Sequence, residues 1–277
     1  MKARPGCKDC LKGLGRQVVN LSGGDVDLLA AVSDLVDRLF DLTLPPTFVS
    51  NRLLRYVRQE TGLEDPFADR KAREFQRAVD AAGRLKGWFP DTLEGALGSS
   101  AFGNGGDFFL EHAYDAEGFV LQGNVAKIAR AVYTSEKVLI LGDNPGDFVF
   151  DLPLGRLLGT MGKKVLYGLK QGPVQNDMSM TDVKRFQVED RYEEIVSIGT
   201  DEVGLNRDSM SDTVRACWDD DGHTLIIAKG MGNYETISEF GGERPVVFVM
   251  NVKCVSVAEA LKRRVGEYIA IMGEEHG

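Results

Sequence analysis

The chain has 277 residues, 43% hydrophobic and 27% charged, a composition ordinary for a globular protein and sufficient for a sizeable core. Its formal net charge of -9 argues against a nucleic-acid partner, because phosphate backbones are bound through clustered Lys and Arg. The sequence shows no run of about 18 apolar residues and no leader-like start, so we expect a cytoplasmic protein without a membrane span.

The first half of the chain carries a helical pattern. In residues 25–42, valine and leucine recur at three- and four-residue spacing with acids between them, which predicts an amphipathic helix that stops before Pro45. The same spacing recurs in residues 47–62, 69–89 and 121–135. We therefore predict an all-helical N-terminal domain over residues 1–134.

In the second half, short apolar runs alternate with helical stretches. The runs are residues 137–142, 163–169, 194–199, 223–230 and 245–252. We group the closing segment, residues 256–273, with the helical stretches. Apolar runs without alternation fit strands that are buried on both faces. We therefore predict an α/β domain over residues 135–277, with a Rossmann-like, mainly parallel sheet and helices on both faces.

Polar residues follow four of the predicted strands, at the edge where ligands bind in such sheets. They are Asp143, Asn144 and Asp147 after the first run, Asn176, Asp177 and Asp182 after the second, Asp201 and Gly204 after the third, and Lys229, Asn233 and Glu235 after the fourth. Carboxylates and amides without His or Cys suit a hard divalent cation such as Mg²⁺ or Mn²⁺ rather than zinc.

A single Asp at such a position is more often a helix cap or a turn residue, and this alternative applies most to Asp177 and Asp182. Asp143 differs because it leaves an apolar strand directly and is followed by Asn144. A turn role for Asp143 would also not explain why acids follow the other predicted strands at the same edge. The sequence therefore makes Asp143 the leading candidate for a functional carboxylate.

The segment Lys-Gly-Met-Gly-Asn-Tyr-Glu, residues 229–235, contains a Gly-x-Gly after a predicted strand, as dinucleotide-binding turns do. The third glycine is missing, and Glu235 in its place would repel a pyrophosphate. Lys229 is better explained as a cation for a phosphate or for a developing negative charge. The alternative is a lysine whose amine extends to solvent.

Together these motifs resemble a known family. "GDNPGDFVFDL", "NDMSMTD", "AKGMGNYE" and "CKDCL", with "FGNGGDFF" in the helical half, are similar to the DUF89 family of damage-control phosphatases, ARMT1-like proteins, in its archaeal and bacterial branch with an N-terminal Cys-x-x-Cys. The resemblance implies a helical part on a Rossmann-like core. It also implies hydrolysis of phosphate monoesters of small metabolites, such as sugar phosphates, with Mg²⁺, Mn²⁺, Co²⁺ or Ni²⁺.

The resemblance also implies residue roles. It makes Asp143, Asn144 and Asp177 metal ligands, brings Lys229 and Asn233 to the phosphate, and has Asn104 and Asp107 reach the site from the helical side. We add Asn176 and Glu235 to the predicted substrate-binding set. The family motif usually reads Asp-Asn-Ala-Gly-Glu, whereas this chain has Pro145 and the shorter Asp147. Asp143, Asp147 and Lys229 form the predicted catalytic set.

Two mechanisms are compatible with these residues. Either the ion activates a water while Lys229 offsets charge, or Asp143 attacks phosphorus and forms an aspartyl-phosphate. Phosphatases of the second kind carry Asp-x-Asp, and Pro145 at the second acidic position favours water without deciding the matter. A non-catalytic protein that binds metal or phosphometabolites, and a nucleotide-dependent enzyme, remain alternatives. The natural substrate, the physiological ion and the oligomeric state leave no readable trace in the sequence.

Three cysteines need a separate interpretation. Cys7 and Cys10 form a Cys-x-x-Cys, and Cys254 follows the last predicted strand. Zinc favours four ligands and there is no second pair, so the zinc signal is weak. A third thiol could give an incomplete metal site. We favour structural thiols that close the N-terminal segment onto the core, because free cysteine is commonly a buried small hydrophobe.

Overall fold

The computed structural model describes residues 1–106, 114, 116–220, 222–240 and 244–273. Its N-terminal part is built from the helices α1 (Cys7–Leu21), α2 (Val26–Leu39), α3 (Pro46–Thr61), α4 (Ala68–Arg84) and α5 (Leu93–Gly105). Local signals set their ends. Asp25 caps α2 by accepting a hydrogen bond from the backbone N–H of Leu28, and α3 ends at Gly62 with a left-handed φ of 67°.

The second part contains a 7-stranded sheet. Its strands are β1 (Leu121–Gly123), β2 (Lys137–Leu141), β3 (Lys164–Leu169), β4 (Glu194–Ser197), β5 (Thr224–Lys229), β6 (Val246–Asn251) and β7 (Tyr268–Met272), in the spatial order β1-β7-β6-β5-β2-β3-β4. The pairs from β6 to β4 are parallel, whereas β7 is antiparallel to β6 and parallel to β1. The strands β6, β5, β2, β3 and β4 therefore run in the same direction and place their carboxyl ends at one edge of the sheet.

Helices connect these strands. They are α6 (Val125–Thr134), α7 (Pro145–Phe150), α8 (Leu152–Thr160), α9 (Met180–Phe186), α10 (Asp212–Trp218), α11 (Gly230–Ile237) and α12 (Val255–Leu261), with a short 3₁₀ helix at Arg207–Ser209. Along β2, Val138 and Ile140 join the apolar cluster on one face of the sheet, and Leu139 and Leu141 join the cluster on the other. Burial on both faces explains why this strand reads as an unbroken apolar run.

The predicted α/β fold with a mainly parallel sheet is confirmed, since β2 to β6 match the five predicted runs within two residues at each end. Two segments predicted as helical were partly wrong. Residues 121–135 begin with β1 before α6, and residues 256–273 contain only the short α12 before β7. Pairing of β7 with the buried strand β6 outweighs the local helical pattern there.

The N-terminal helices share apolar contacts with the sheet edge. Val36, Leu53 and Val57 are fully buried in one cluster, which also contains Val174 from the loop after β3. The predicted domain division at residue 134 stays a prediction. Among the described residues, no helix combines the length and the apolar character needed to cross a membrane.

Replacing Leu53 by Ala should lower the free energy of unfolding by about 2–5 kcal/mol, because it leaves a cavity in this cluster. Since Val174 belongs to the same cluster, we expect one shifted urea transition by both far-UV circular dichroism and tryptophan fluorescence, to which Trp88 in the helical part and buried Trp218 both contribute. Leu42→Ala, at a side chain 50% exposed, is the control and should change stability by less than about 0.5 kcal/mol. Two separate transitions, with only one displaced, would show instead that the helical part unfolds independently.

Candidate active site

The loops that leave β2 and β3 meet at the carboxyl edge of the sheet. Asp143 follows β2 after a single glycine, and Asp177 lies between β3 and α9. The backbone N–H of Met178 donates a hydrogen bond to the backbone carbonyl of Asp143 at 2.6 Å. This contact joins the two loops and places Asp143, Asn144 and Asp177, the predicted metal ligands, on one rim.

The carboxyl group of Asp143 lies in an unfavourable electrostatic environment. Burial raises its pKa well above the usual range, and the negative charges of Asp177 and Asp147 add to that rise. The charge of Lys253 and a hydrogen bond from Asn104 oppose it. Carboxylates crowded in this way gain from a bound cation, and two carboxylates with an amide oxygen form a donor set that fits a hard divalent ion.

Lys170, which the sequence analysis did not single out, accompanies Asp177. It follows β3 directly, is 1% exposed and places its ammonium nitrogen 3.6 Å from the carboxylate of Asp177. Burial raises the pKa of Asp177, and the charges of Lys170 and Lys71 oppose that rise. A lysine directly after a buried strand, at the same edge as the predicted acids, was the signal that could have revealed it.

Asn144 and Asp147 form a capping box at the start of α7. The side-chain oxygen of Asn144 accepts from the backbone N–H of Asp147 at 3.0 Å, and Oδ2 of Asp147 lies 3.4 Å from the backbone nitrogen of Asn144. Both side chains are buried. An amide oxygen has two acceptor sites, so the cap leaves Asn144 able to bind an ion.

Asn104, at the end of α5, lies between two carboxylates. Its amide nitrogen donates to Asp143 at 2.9 Å and to Asp147 at 2.8 Å, while its oxygen accepts from the backbone N–H of Asn251 at 3.0 Å. The side chain is buried, with 1% of its residue surface exposed. The structure therefore gives Asn104 a bridging position, and its predicted contact with substrate stays a prediction.

Lys229 does not extend to solvent, which was the alternative raised from the sequence. It is fully buried, with its ammonium 2.9 Å from Asp147 and 3.1 Å from Asp151, and it donates to the carbonyl and hydroxyl oxygens of Ser100 at 2.6 and 2.7 Å. Asp151 and Ser100 were missed by the sequence analysis. The four-residue spacing between Asp147 and Asp151, which puts both on one side of a helix, was the available signal.

The remaining predicted residues are divided between the rim and other places. Asn233 is buried and donates to the carbonyl of Lys229 at 2.8 Å, which ties the start of α11 to β5. Asn176 adjoins Asp177 and is half-buried. Glu235 is not on this rim, and Asp107 lies outside the described residues.

Two further acids of the predicted edge have structural partners. Asp182 completes a capping box with Ser179 at the start of α9 and lies 2.6 Å from the buried ammonium of Lys71. Asp201 pairs with Arg58 at 2.9 Å. For Asp182, the cap alternative raised from the sequence is therefore correct.

Glu235 lines a cavity of about 390 Å³ together with Cys7, Cys10 and Cys254. The thiol of Cys7 contacts the hydroxyl of Ser256 at 3.4 Å, which joins α1 to α12. Within the described part of the chain, no three side chains of His, Cys, Asp or Glu are placed to hold a metal ion. The three cysteines are thus not arranged as a metal site, and their structural role stays a prediction.

A larger cavity than the one beside the cysteines lies elsewhere. It measures about 570 Å³ and lies against α4, α5, α7 and α8, with Phe75, Phe89 and Phe148 among its walls. It contains none of the predicted metal ligands. The candidate site is therefore identified by the chemistry of the sheet edge and not by the size of a cavity.

The chain is similar to known proteins over nearly its whole length. A family model described as the damage-control phosphatase ARMT1-like domain matches residues 8–269. A damage-control phosphatase from Archaeoglobus fulgidus is 28% identical over 98% of this chain and 99% of its own length. Another from Pyrococcus horikoshii is 25% identical over 95% of each chain. The crystal structure of a DUF89 family protein from P. horikoshii superposes with a TM-score of 0.85, at 24% identity and 98% coverage of both chains.

Gly230 permits the close approach of α11 to Asp143. It has a φ of 73°, and an added Cβ would overlap the carboxylate of Asp143. Gly222, with a φ of 89° and no atom within 4 Å of such a Cβ, provides a matched control. We expect Gly222→Ala to cost about 1–2 kcal/mol of unfolding free energy from backbone strain alone.

Gly230→Ala should cost about 1–3 kcal/mol more than the control, because the overlap adds to the strain. Urea unfolding of the two variants measures the difference. Equal losses would mean that the Asp143 carboxylate moves aside freely, and would remove the argument that its position is fixed.

Proposed function

The chain belongs to the family defined by the damage-control phosphatase ARMT1-like domain, and we propose that it hydrolyses phosphate monoesters of small metabolites at the rim formed by Asp143, Asn144 and Asp177. The family makes the chain a phosphatase that depends on a metal ion. The ligand residues, the choice of ion and the substrate class are our proposal.

One observation carries the assignment of the ligands. The hydrogen bond between Met178 and Asp143 holds two loops together, so that carboxylates carried by different strands lie at one edge of the sheet. The sequence had left a cap or turn role open for Asp177, but its side chain is not used as a cap, and its charge acts on Asp143. Oxygen donors that converge from separate loops are typical of a hard-cation site.

The charge balance supports a divalent ion. Asp143, Asp147, Asp151 and Asp177 are accompanied by two fully buried lysines, Lys170 and Lys229. When ionised, these four carboxylates outnumber the two lysines within ion-pair distance of them, so a cation bound among them would lower the remaining repulsion. When bound, such an ion polarises phosphoryl oxygens and lowers the pKa of a water molecule. Mg²⁺ and Mn²⁺ suit these ligands best among the candidate ions.

The chain's own groups then bind and orient the phosphate. Lys253 is half-buried, and its charge opposes the rise in the pKa of Asp143, so we assign it the role of offsetting charge on phosphoryl oxygens. Lys170 provides a second cation beside Asp177. Lys229 is buried beside Asp147 and acts through that carboxylate. We favour water over Asp143 as the nucleophile, because Pro145 occupies the position of the second acid in phosphatases that form an aspartyl-phosphate.

Asp143→Ala should reduce kcat/KM for p-nitrophenyl phosphate in the presence of Mn²⁺ by on the order of 10²–10³-fold or more, since it removes a ligand of the ion. Asp34→Ala is the matched control: this carboxylate is exposed in the middle of α2 and should leave kcat/KM unchanged. The measurement is steady-state hydrolysis with and without chelator.

A wild-type protein that binds Mn²⁺ but does not turn over any of a panel of sugar phosphates and aryl phosphates would support the non-catalytic alternative. Activity that survives Asp143→Ala would show that the reacting centre is elsewhere.

A further inference from the structure

Asp151 is a buried carboxylate that has no role in the proposed reaction as described above. It lies between α7 and α8, is fully buried, and accepts a hydrogen bond from the hydroxyl of Tyr167 at 2.8 Å. Its other oxygen lies 3.1 Å from the ammonium of Lys229. Burying a charge costs folding free energy unless the charge is paired and hydrogen-bonded. The ionised carboxylate of Asp151 therefore depends on these two partners.

The pairing leads towards the rim. Lys229 lies 2.9 Å from Oδ1 of Asp147, so one ammonium is shared by two carboxylates. The opposite oxygen, Oδ2 of Asp147, accepts from the amide of Asn104 at 2.8 Å. The position of Lys229 therefore affects the plane in which the Asp147 carboxylate lies.

Asn104 extends the connection to a predicted metal ligand. Its single amide nitrogen donates to both Asp147 and Asp143, so the two carboxylates are fixed relative to each other. A continuous series of contacts thus runs from Tyr167 through Asp151, Lys229, Asp147 and Asn104 to Asp143. Outer-shell hydrogen bonds of this kind orient metal ligands in other proteins.

We propose that Asp151 is a positioning residue, which anchors Lys229 and thereby sets the orientation of Asp143 for the ion. This inference rests on the proposed function, because it assumes that Asp143 is a ligand. Asp151 touches neither the ion nor the substrate, and acts only through the intervening side chains.

The test is Asp151→Asn, which keeps the shape of the side chain and removes its charge. The Mn²⁺ concentration for half-maximal hydrolysis of p-nitrophenyl phosphate should rise, and kcat should fall, by about 10- to 100-fold, the size usual for outer-shell groups. KM should change less than about threefold, since Asp151 makes no contact with the phosphate ester.

Ser99→Ala is the matched control. Ser99 precedes Ser100 in α5 and donates to the carbonyl of Phe150 at 2.8 Å, so the variant removes a buried hydrogen bond against α7 outside the series of contacts. A folded fraction f lowers the apparent kcat and raises the Mn²⁺ requirement by at most a factor of 1/f. Thermal unfolding midpoints measured in parallel show whether each variant is folded at the assay temperature, and a rise in the Mn²⁺ requirement of a folded variant then reports positioning.

If Asp151→Asn does not fold, Tyr167→Phe takes its place. It keeps every charge and the stacking on Tyr192, whose ring centroid is 4.1 Å away, and removes only the hydroxyl that holds Asp151. We expect a rise of a few-fold in its Mn²⁺ requirement.

A requirement within about twofold of wild type, in whichever variant folds, overturns the positioning role, because it is below the effect of losing a typical outer-shell group. Wild-type protein without Mn²⁺-dependent hydrolysis overturns the proposed function instead, and the role of Asp151 falls with it. The two failures are therefore distinguished by the wild-type measurement alone.

Discussion

The crowding of buried carboxylates, Asp143 and Asp177 among them, is the constraint around which this edge of the sheet is built. The two come from different loops. Burial raises the pKa of both, the charge of Asp177 adds to the rise at Asp143, and the charge of Asp147 adds to the rise at Asp177. The fold offsets that cost in part with lysines in the interior. Lys170 accompanies Asp177, and Lys229 accompanies Asp147. A divalent cation bound here would neutralise charge that the lysines leave, which is the basis of the proposed affinity for the ion.

The parallel sheet brings these carboxylates to the same edge. The carboxyl ends of β2, β3 and β5 are adjacent, so the residues after them are close in space although they are far apart in sequence. Backbone details then bring the groups within reach. Gly230 lets α11 begin against Asp143, and the Met178 hydrogen bond joins the loops after β2 and β3. Asn104 approaches from α5, which links the helical part of the chain to the same carboxylates.

Much of this could be predicted from the sequence, for identifiable reasons. Unbroken apolar runs reveal strands that are buried on both faces, which is why β2 to β6 were found. The edge strand β1 and its neighbour β7 were missed because β1 has only three residues and β7 follows a helical pattern. The rim residues Asp143, Asn144 and Asp177 follow from strand order.

The partners of those residues could not be predicted in the same way. The roles of Asn104 and Asp151 depend on which side chains meet after folding, and Glu235 lies near the cysteines because residues of α1 and α11 line the same cavity. No local pattern encodes those contacts, although the spacing of Asp147 and Asp151 hinted at a shared neighbour.

A crystal structure with Mg²⁺ and inorganic phosphate would test the central claim most directly. The account predicts one ion coordinated by the side-chain oxygens of Asp143, Asn144 and Asp177 at about 2.0–2.1 Å, with phosphate on its open side towards Lys253. An ion bound without Asp177, or phosphate seated away from this edge of the sheet, would contradict it.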